Sequence, residues 1–317
     1  MAGTEPVQEQ RAGAGEVLAL DLGGTKIAGA VVREDGTITA RSQAPTPANE
    51  GSAAIITAMA EVIQQLRSAC ASTPAGVGIG AAGVIDPATA KVVSATGTLA
   101  GWAGTDMKAE LGSITGLEVR AVNDVHAHAL GEARYGAGVG TSQVMLLAIG
   151  TGIGGAYLHD GQLVTGFHHV AGHMGHIDSS YASGLECSCG RTGHVEAIAA
   201  GPAIHRHYLR LGGDRQVHDT QAVAALAEAG NPKARKALRT GALAAGAAAG
   251  SLANVLDPQK IIIAGGMAGA GDMWWEALCE GFASSTIDLL RATELEPARL
   301  GTDAALLGAA SLWWTQD

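Results

Sequence analysis

Apolar positions along this chain follow two rhythms, short runs of strand length and longer stretches with helical spacing. Val17–Leu20 is an apolar run ending at Asp21, and the turn Leu22-Gly23-Gly24-Thr25-Lys26 follows it. A second run, Ile27–Val32, leads to Asp35-Gly36, a pair that closes tight hairpins, and Thr37–Ala40 opens a third strand. Pro45-Thr46-Pro47 breaks the pattern before Ile55, Met59, Val62, Ile63 and Leu66, whose spacing predicts a helix. Gly76–Ala82 and Val119–Val122 read as buried strands. The second ends at Asn123-Asp124, where a helix carrying Ala127, Leu130 and Ala133 begins.

The opening layout then returns. Val144–Ile149 is an apolar run, Gly150-Thr151-Gly152-Ile153-Gly154-Gly155 a glycine turn, and Ala156–Leu158 a strand. Asp160-Gly161 is again a hairpin pair, with Gln162–Val164 after it. Two copies of one layout favour a duplicated domain with a cleft between its halves. Beyond residue 195 the chain reads as helical and alanine-rich. Thr240–Leu256 is a Gly/Ala helix stopped by Asp257-Pro258, and Ile261–Ala264 is a fully apolar strand running into Gly265-Gly266, after which another helix is expected. Strands alternating with helices predict the α/β class.

Length supports the duplication, because 317 residues exceed the roughly 250–300 at which a single core stops growing. The expected division is a flexible tail over 1–15, a smaller lobe over 16–122 completed by a C-terminal helix over 303–317, and a larger lobe over 123–302. With 47% hydrophobic residues and a mean hydropathy of +0.18, the chain can bury a core and is not globally disordered. Lys and Arg number 20 against 30 Asp and Glu, a net charge of −10, which argues against a nucleic-acid surface. No apolar run approaches the roughly 20 residues of a membrane span. The start has no apolar signal segment either, so a cytoplasmic protein is expected.

Candidate chemistry gathers in three glycine turns, each after an apolar strand, where backbone N–H groups can approach an anion with no side chain between. The first offers Asp21, Gly23, Gly24, Thr25 and Lys26, with Asp21 able to hold Mg²⁺ through water. The second offers Gly150, Thr151, Gly152 and Gly154, and the third Gly265 and Gly266. Alone, any one of them reads as a tight strand turn, and none has the Walker or dinucleotide spacing. As a duplicated pair plus a third, they predict ATP phosphates. Asp124, at a strand end, could take a proton from a hydroxyl attacking a γ-phosphoryl group, or could be a helix N-cap. Spacing does not separate the two. His126 and His128 read as ordinary helix residues.

Five of the eleven histidines (168, 169, 173, 176 and 194) and two of the four cysteines (187 and 189) lie between residues 168 and 194. His176, Cys187, Cys189 and His194 form a tetrahedral zinc set, closed and therefore structural. The loop over 173–196 that it would order also carries Glu196, a candidate ligand for sugar hydroxyls. Cys70 and Cys279 read as small core residues.

These residues resemble a known family. Asp21-Leu22-Gly23-Gly24-Thr25-Lys26 resembles the phosphate turn of the ROK sugar kinases (repressors, open reading frames and kinases). Asn123-Asp124, with Ala129-Leu130-Gly131-Glu132 after it, is similar to their catalytic segment, and Gly150–Gly155 to their second phosphate turn. Cys187-Ser188-Cys189-Gly190-Arg191-Thr192-Gly193-His194-Val195-Glu196 resembles their zinc signature, the most specific part of a match running from about residue 16 to the C-terminus. The resemblance implies an actin- and hexokinase-like α/β fold of two lobes around a cleft, using ATP and Mg²⁺ to phosphorylate the 6-hydroxyl of a hexose. It casts Asp124 as base, Asn123, Glu196 and Gly83 on the sugar side, and a homodimer or homotetramer as the assembly.

Three positions depart from the pattern. His194 stands where a third Cys is usual and remains a good zinc ligand. Thr98 stands where many members place an Asn against the sugar. His173, in Ala171-Gly172-His173-Met174-Gly175-His176, stands where the glucokinases carry Glu. Bacterial N-acetylmannosamine kinases are similar to this sequence in carrying His there, and a neutral imidazole N–H could meet an acetyl carbonyl. N-acetylmannosamine is the expected substrate and glucose the runner-up. A sugar-responsive transcriptional regulator is the reading from another class. Only about 15 polar residues precede the first strand, few for a helix-turn-helix.

Overall fold

The computed structural model describes residues 15–314; the tail expected over 1–15 falls almost wholly outside them, as does the end of the helix expected over 303–317. The chain divides into two compact units. One runs up to Asp124 and resumes at Ala309, and the other is Val125–Gly308.

The first unit is built on β1 (Val17–Leu22), β2 (Lys26–Val32), β3 (Ile38–Pro45), β4 (Val77–Ala81) and, after the two-stranded hairpin β5 (Val84–Asp86) and β6 (Lys91–Ser94), β7 (Val119–Asn123). Its sheet has the order β3-β2-β1-β4-β7. β1 pairs antiparallel with β2 and parallel with β4, which is parallel to β7. The parallel strands β1 and β4 are buried almost throughout, which explains their continuous apolar runs. Helix α1 (Ser52–Ser68) lays Ile55, Met59, Val62, Ile63 and Leu66 on the sheet, as its spacing predicts. Gly29 lets it come close, since a Cβ there would stand 2.6 Å from Val62 Cγ1. Helix α2 (Met107–Thr115) starts at Asp106, whose side chain accepts from Ala109 N–H at 2.9 Å, and ends at Gly116 in the left-handed region (φ 70°). The C-terminal stretch is tied to β7: Arg120 donates to Leu312 O at 2.8 Å and stacks 4.3 Å over the Trp313 ring.

The second unit begins in helix α3, which spans Asp124–Tyr135. Its strands are β8 (Gln143–Ile149), β9 (Ile153–His159), β10 (Gln162–Leu163), β11 (Lys260–Ala264) and β12 (Glu294–Pro297), in the order β10-β9-β8-β11-β12. Two antiparallel pairings are followed by two parallel ones, the same sequence of pairings as in the first sheet. The duplication read from the glycine turns is thus present as duplicated topology. The helices that follow are α4 (Glu196–Ala199), α5 (Gly201–Arg210), α6 (Thr220–Glu228), α7 (Pro232–Leu256) and α8 (Asp272–Ser285), and last α9 (Ala304–Ser311), whose Gly308 packs on α3. α7 begins eight residues before the expected Thr240, at a Pro that follows an Asn231 cap accepting from Lys233 and Ala234 N–H. After Gly265-Gly266 comes a single 3₁₀ turn, Gly266–Gly269, and the α-helix expected there starts only at Asp272.

α3 is held by Glu132, which is fully buried. Its carboxylate accepts from Ala137, Arg299 and Leu300 N–H at 2.8–2.9 Å, the satisfaction a buried charge requires. No helix among the described residues is long and apolar enough to cross a membrane.

Candidate functional site

Register assembles the site of the first unit. Leu22 pairs with Ala81 and Ala81 with Asn123, so the carboxyl ends of β1, β4 and β7 lie level, the edge where open α/β sheets bind ligands. Asp21 is one residue inside that edge. Burial above all, and then the charge of Asp124, push its carboxyl up from 3.8 to about 6, against the opposing pull of Lys26. The turn beyond it closes through Gly23 N–H to Lys26 O at 3.0 Å, and Thr46 Oγ1 donates to Gly23 O at 2.8 Å. Thr25 and Lys26 are exposed. Thr98 lies over the turn: a Cβ on Gly24 would stand 2.9 Å from its Cγ2. Asn123 donates its amide to Gly83 O at 2.9 Å. Gly83 adopts φ 108°, and a Cβ there would meet Ser94 O at 2.8 Å, so only glycine presents that carbonyl to Asn123. Asp124 is the first residue of α3.

In the second unit the pairing of Ala148 with Ala264 sets the ends of β8 and β11 side by side. The glycine turns that follow them border a cavity of about 550 Å³, of a size suited to small ligands. Gly150, Thr151 and Gly266 line it. Gly152, Gly154 and Gly265 do not: Gly152 lies against Glu196, Gly154 packs on Val125, and Gly265 (φ 82°) packs on Ile149. Besides the turn after Gly266, the lining includes a wall the sequence reading passed over, Gly201-Pro202 at the start of α5 and Asp219–Gln221 with Ala224 on α6. Its signals were a Pro in the first helical turn and an Asp N-cap, Asp219, which accepts from Ala222 N–H at 2.8 Å.

The cysteine loop is folded by its own backbone. Cys187 N–H donates to Arg191 O at 2.7 Å, Gly190 N–H to Cys187 O at 3.0 Å and Gly193 N–H to Leu185 O at 3.0 Å. Both glycines lie in the left-handed region (φ 81° and 89°). The ligand atoms of His176, Cys187, Cys189 and His194 all lie within 4.8 Å of one another. Cys189 Sγ is 3.2 Å from His194 Nδ1, and Cys187 Sγ is 3.6 Å from His176 Nδ1. A tetrahedral zinc with Zn–S near 2.3 Å and Zn–N near 2.0–2.1 Å has S···N edges of about 3.5 Å. The donor set therefore fits.

His173 and Glu196 flank this cluster in sequence. His173 is exposed, and its Nδ1 lies 3.0 Å from Val170 O. A carbonyl only accepts, so Nδ1 is the donor of this contact and Nε2 is the ring nitrogen left for a ligand. Of its two ring nitrogens, Nδ1 is engaged by Val170 O. Its loop is anchored by His126, whose Nε2 lies 2.9 Å from Ala171 O. Burial holds the His126 ring below the usual range, so the neutral ring donates there. It is an anchor for the His173 loop, which its reading as an ordinary helix residue missed. Glu196 opens α4. Its Oε2 accepts from Ile153 N–H at 2.8 Å, and its Oε1 from the Ser188 hydroxyl.

The pattern of the ROK family matches residues 17–316. The chain belongs to the ROK family. Among its relatives, a glucokinase of Halalkalibacterium halodurans is 32% identical over 309 residues, covering 92% of this chain and 93% of its own. An N-acetylmannosamine kinase of Citrobacter koseri is 31% identical over 301 residues, covering 93% and 97%. The structure of a ROK glucokinase from Streptomyces griseus, in complex with glucose and AMPPNP, matches this ROK chain with a TM-score of 0.79 at 31% identity, over 94% of this chain and 99% of that one. The fold of this ROK protein is accordingly of the actin- and hexokinase-like class. Overall identity does not separate the two kinase names.

Proposed function

We propose that this ROK protein is an ATP-dependent sugar kinase that phosphorylates the 6-hydroxyl of a hexose. The observation that carries the reading is the cavity bordered by both glycine turns of the second sheet, in a chain whose relatives are sugar kinases. Thr151 and Gly266 offer backbone N–H groups and a hydroxyl to the nucleotide phosphates, on a turn closed by Gly150 N–H to Gly152 O, and the walls from α5 and α6 would take the nucleoside. Asp21, buried beside the charge of Asp124 and with Lys26 as the opposing cation, is the carboxylate suited to hold Mg²⁺ through water. Asp124 takes the proton of the attacking hydroxyl. Asn123, oriented by Gly83 O, Thr98, His173 and Glu196 are the sugar-side groups. Zinc at His176, Cys187, Cys189 and His194 is structural.

N-acetylmannosamine is the favoured substrate. The imidazole face at His173 can pack against an acetyl methyl group, where a carboxylate would lose hydration, and with Nδ1 engaged by Val170 O, Nε2 faces the acetamido N–H. Glucose is the second reading, because the same Nε2 can equally meet a hydroxyl and glucokinases are as similar to this chain. A coupled ADP-release assay with N-acetylmannosamine, N-acetylglucosamine, glucose and mannose tests this. A kcat/KM for N-acetylmannosamine at least tenfold above the others is expected. A preference for glucose would overturn the His173 reading, and turnover of none of the four the kinase reading itself.

A further inference from the structure

The Glu196 carboxylate makes contacts on two sides. On one side, its Oε2 accepts from Ile153 N–H at 2.8 Å, and a Cβ on Gly152 would come within 2.9 Å of that oxygen. The carboxylate therefore lies against the glycine turn itself. That turn is closed by Gly150 N–H to Gly152 O at 2.9 Å, and Gly150 O accepts from Gly201 N–H at 2.8 Å. Gly150, Thr151 and Gly201 all line the nucleotide cavity. On the other side, Oε1 accepts from the hydroxyl of Ser188, with Cys187 Sγ 3.8 Å away. Ser188 stands between the two cysteines of the metal cluster.

We infer that Ser188 and Glu196 form a tether between the metal loop and the nucleotide turn, so that loading of the His/Cys cluster sets nucleotide affinity. The inference rests on the kinase reading above, and it adds that the metal loop serves the phosphate side of the reaction as well as the sugar side. The physical reason is short-range. A serine whose neighbours on both sides are metal ligands has its backbone held by the metal, and its hydroxyl is then confined to a few rotamer positions, one of which meets Glu196 Oε1. A carboxylate with one oxygen fixed in this way presents the other to Ile153 N–H without choosing among rotamers. Released from the metal, the loop keeps the hydrogen bonds of its own backbone but no longer fixes Ser188, and the turn at Gly150–Gly152 loses one of its supports. Ser188 is thus a positioning residue. It is exposed, so its substitution need not disturb the core.

The test is isothermal titration calorimetry of AMPPNP with Mg²⁺, using the full chain, zinc-loaded and chelator-stripped, as wild type, Ser188→Ala and Ser188→Thr. A charge-assisted hydrogen bond corresponds to roughly a tenfold change in an equilibrium constant. Stripping is expected to weaken AMPPNP binding by about tenfold in the wild type. Ser188→Ala is expected to bind as weakly when loaded as the wild type does when stripped, with little further loss on stripping, and Ser188→Thr, which keeps the hydroxyl, to restore most of the affinity. Far-ultraviolet circular dichroism and zinc content of each sample separate this from unfolding or metal loss. Equal affinity of loaded wild type and loaded Ser188→Ala, or of stripped and loaded wild type, overturns the tether and leaves the kinase reading standing. Absence of AMPPNP binding in the loaded wild type would overturn the nucleotide cavity itself, and the tether with it.

Discussion

At the residue scale, two carboxylates of the first unit carry opposite expectations. Asp124 is proposed as the base, and general-base catalysis typically contributes about 10²–10⁴-fold. Asp124→Asn should therefore lose at least about 10²-fold in kcat while still binding sugar by calorimetry. Activity near that of the wild type would remove Asp124 from the role. Asp21 makes a prediction about stability. Its carboxyl is raised to about 6 from 3.8, so between those values the folded chain holds the proton more tightly than the unfolded one. Folding is then favoured at the acid side of the window, and this contribution is lost as pH rises from about 4 through 6. A shift of two units corresponds to roughly 3 kcal/mol. In Mg²⁺-free buffer, Asp21→Asn should raise the melting temperature at pH 8 and flatten its dependence on pH between 4 and 6. A variant less stable than the wild type at pH 8 would mean that the carboxylate is held by interactions stronger than its burial.

Glycine decides matters at the scale of elements. A Cβ on Gly246 of α7 would fall on Leu278 O of α8, so these helices meet backbone to backbone. Gly246→Ala gains helix propensity but forces the pair apart, and overpacking typically costs about 1–3 kcal/mol. Gly112 of α2 is the contrast, since a Cβ there makes ordinary contact with Leu117 O at 3.6 Å. Gly112→Ala should stabilise by about 0.5–1 kcal/mol, and urea denaturation of the two variants should move the midpoint in opposite directions. The elements with strong local signals were legible in the chain. The strands β1, β2, β8 and β11 and the helix α1 were, because their apolar spacing is their own. β5–β6 and β12 were not: they are three or four residues long, with too few positions to show a period. The helix misplaced after Gly265-Gly266 has the same cause, since the glycine turn was read correctly but the length of the 3₁₀ turn behind it is set by its packing.

At the scale of the whole molecule, each unit has its own hydrophobic cluster. One is centred on Leu18, Leu20, Ile55 and Ile79, the other on Met145, Ile204, Ile261 and Trp274. The chain leaves the first unit at Asp124 and returns at Ala309, so the second is an insertion in the first. The described residues that line the cavity all belong to the second unit. Scanning calorimetry should give a calorimetric enthalpy above the van't Hoff value, as expected for units that do not melt as one. AMPPNP at about 100 times its dissociation constant should stabilise the binding unit by roughly 2.7 kcal/mol, moving chiefly the transition of that unit. A single two-state transition would show that the units unfold together.

The site divides along the same line as the fold. Read alone, the sequence determined the glycine turns, the duplicated order of strands, and the His176, Cys187, Cys189 and His194 set, because each depends on residue types at short spacing. Only the tertiary structure decided that Gly150 and Gly266 border the cavity while Gly152, Gly154 and Gly265 pack elsewhere. It also decided which nitrogen of His173 meets Val170 O, that burial and then Asp124 raise the Asp21 carboxyl, and that Glu196 bridges Ser188 and Ile153. Most of these outcomes depend on neighbours tens or hundreds of residues away in the chain, and even the His173 ring, bonded to a carbonyl three residues back, depends on a loop anchored by His126; burial and hydrogen bonding are set by what the fold brings alongside.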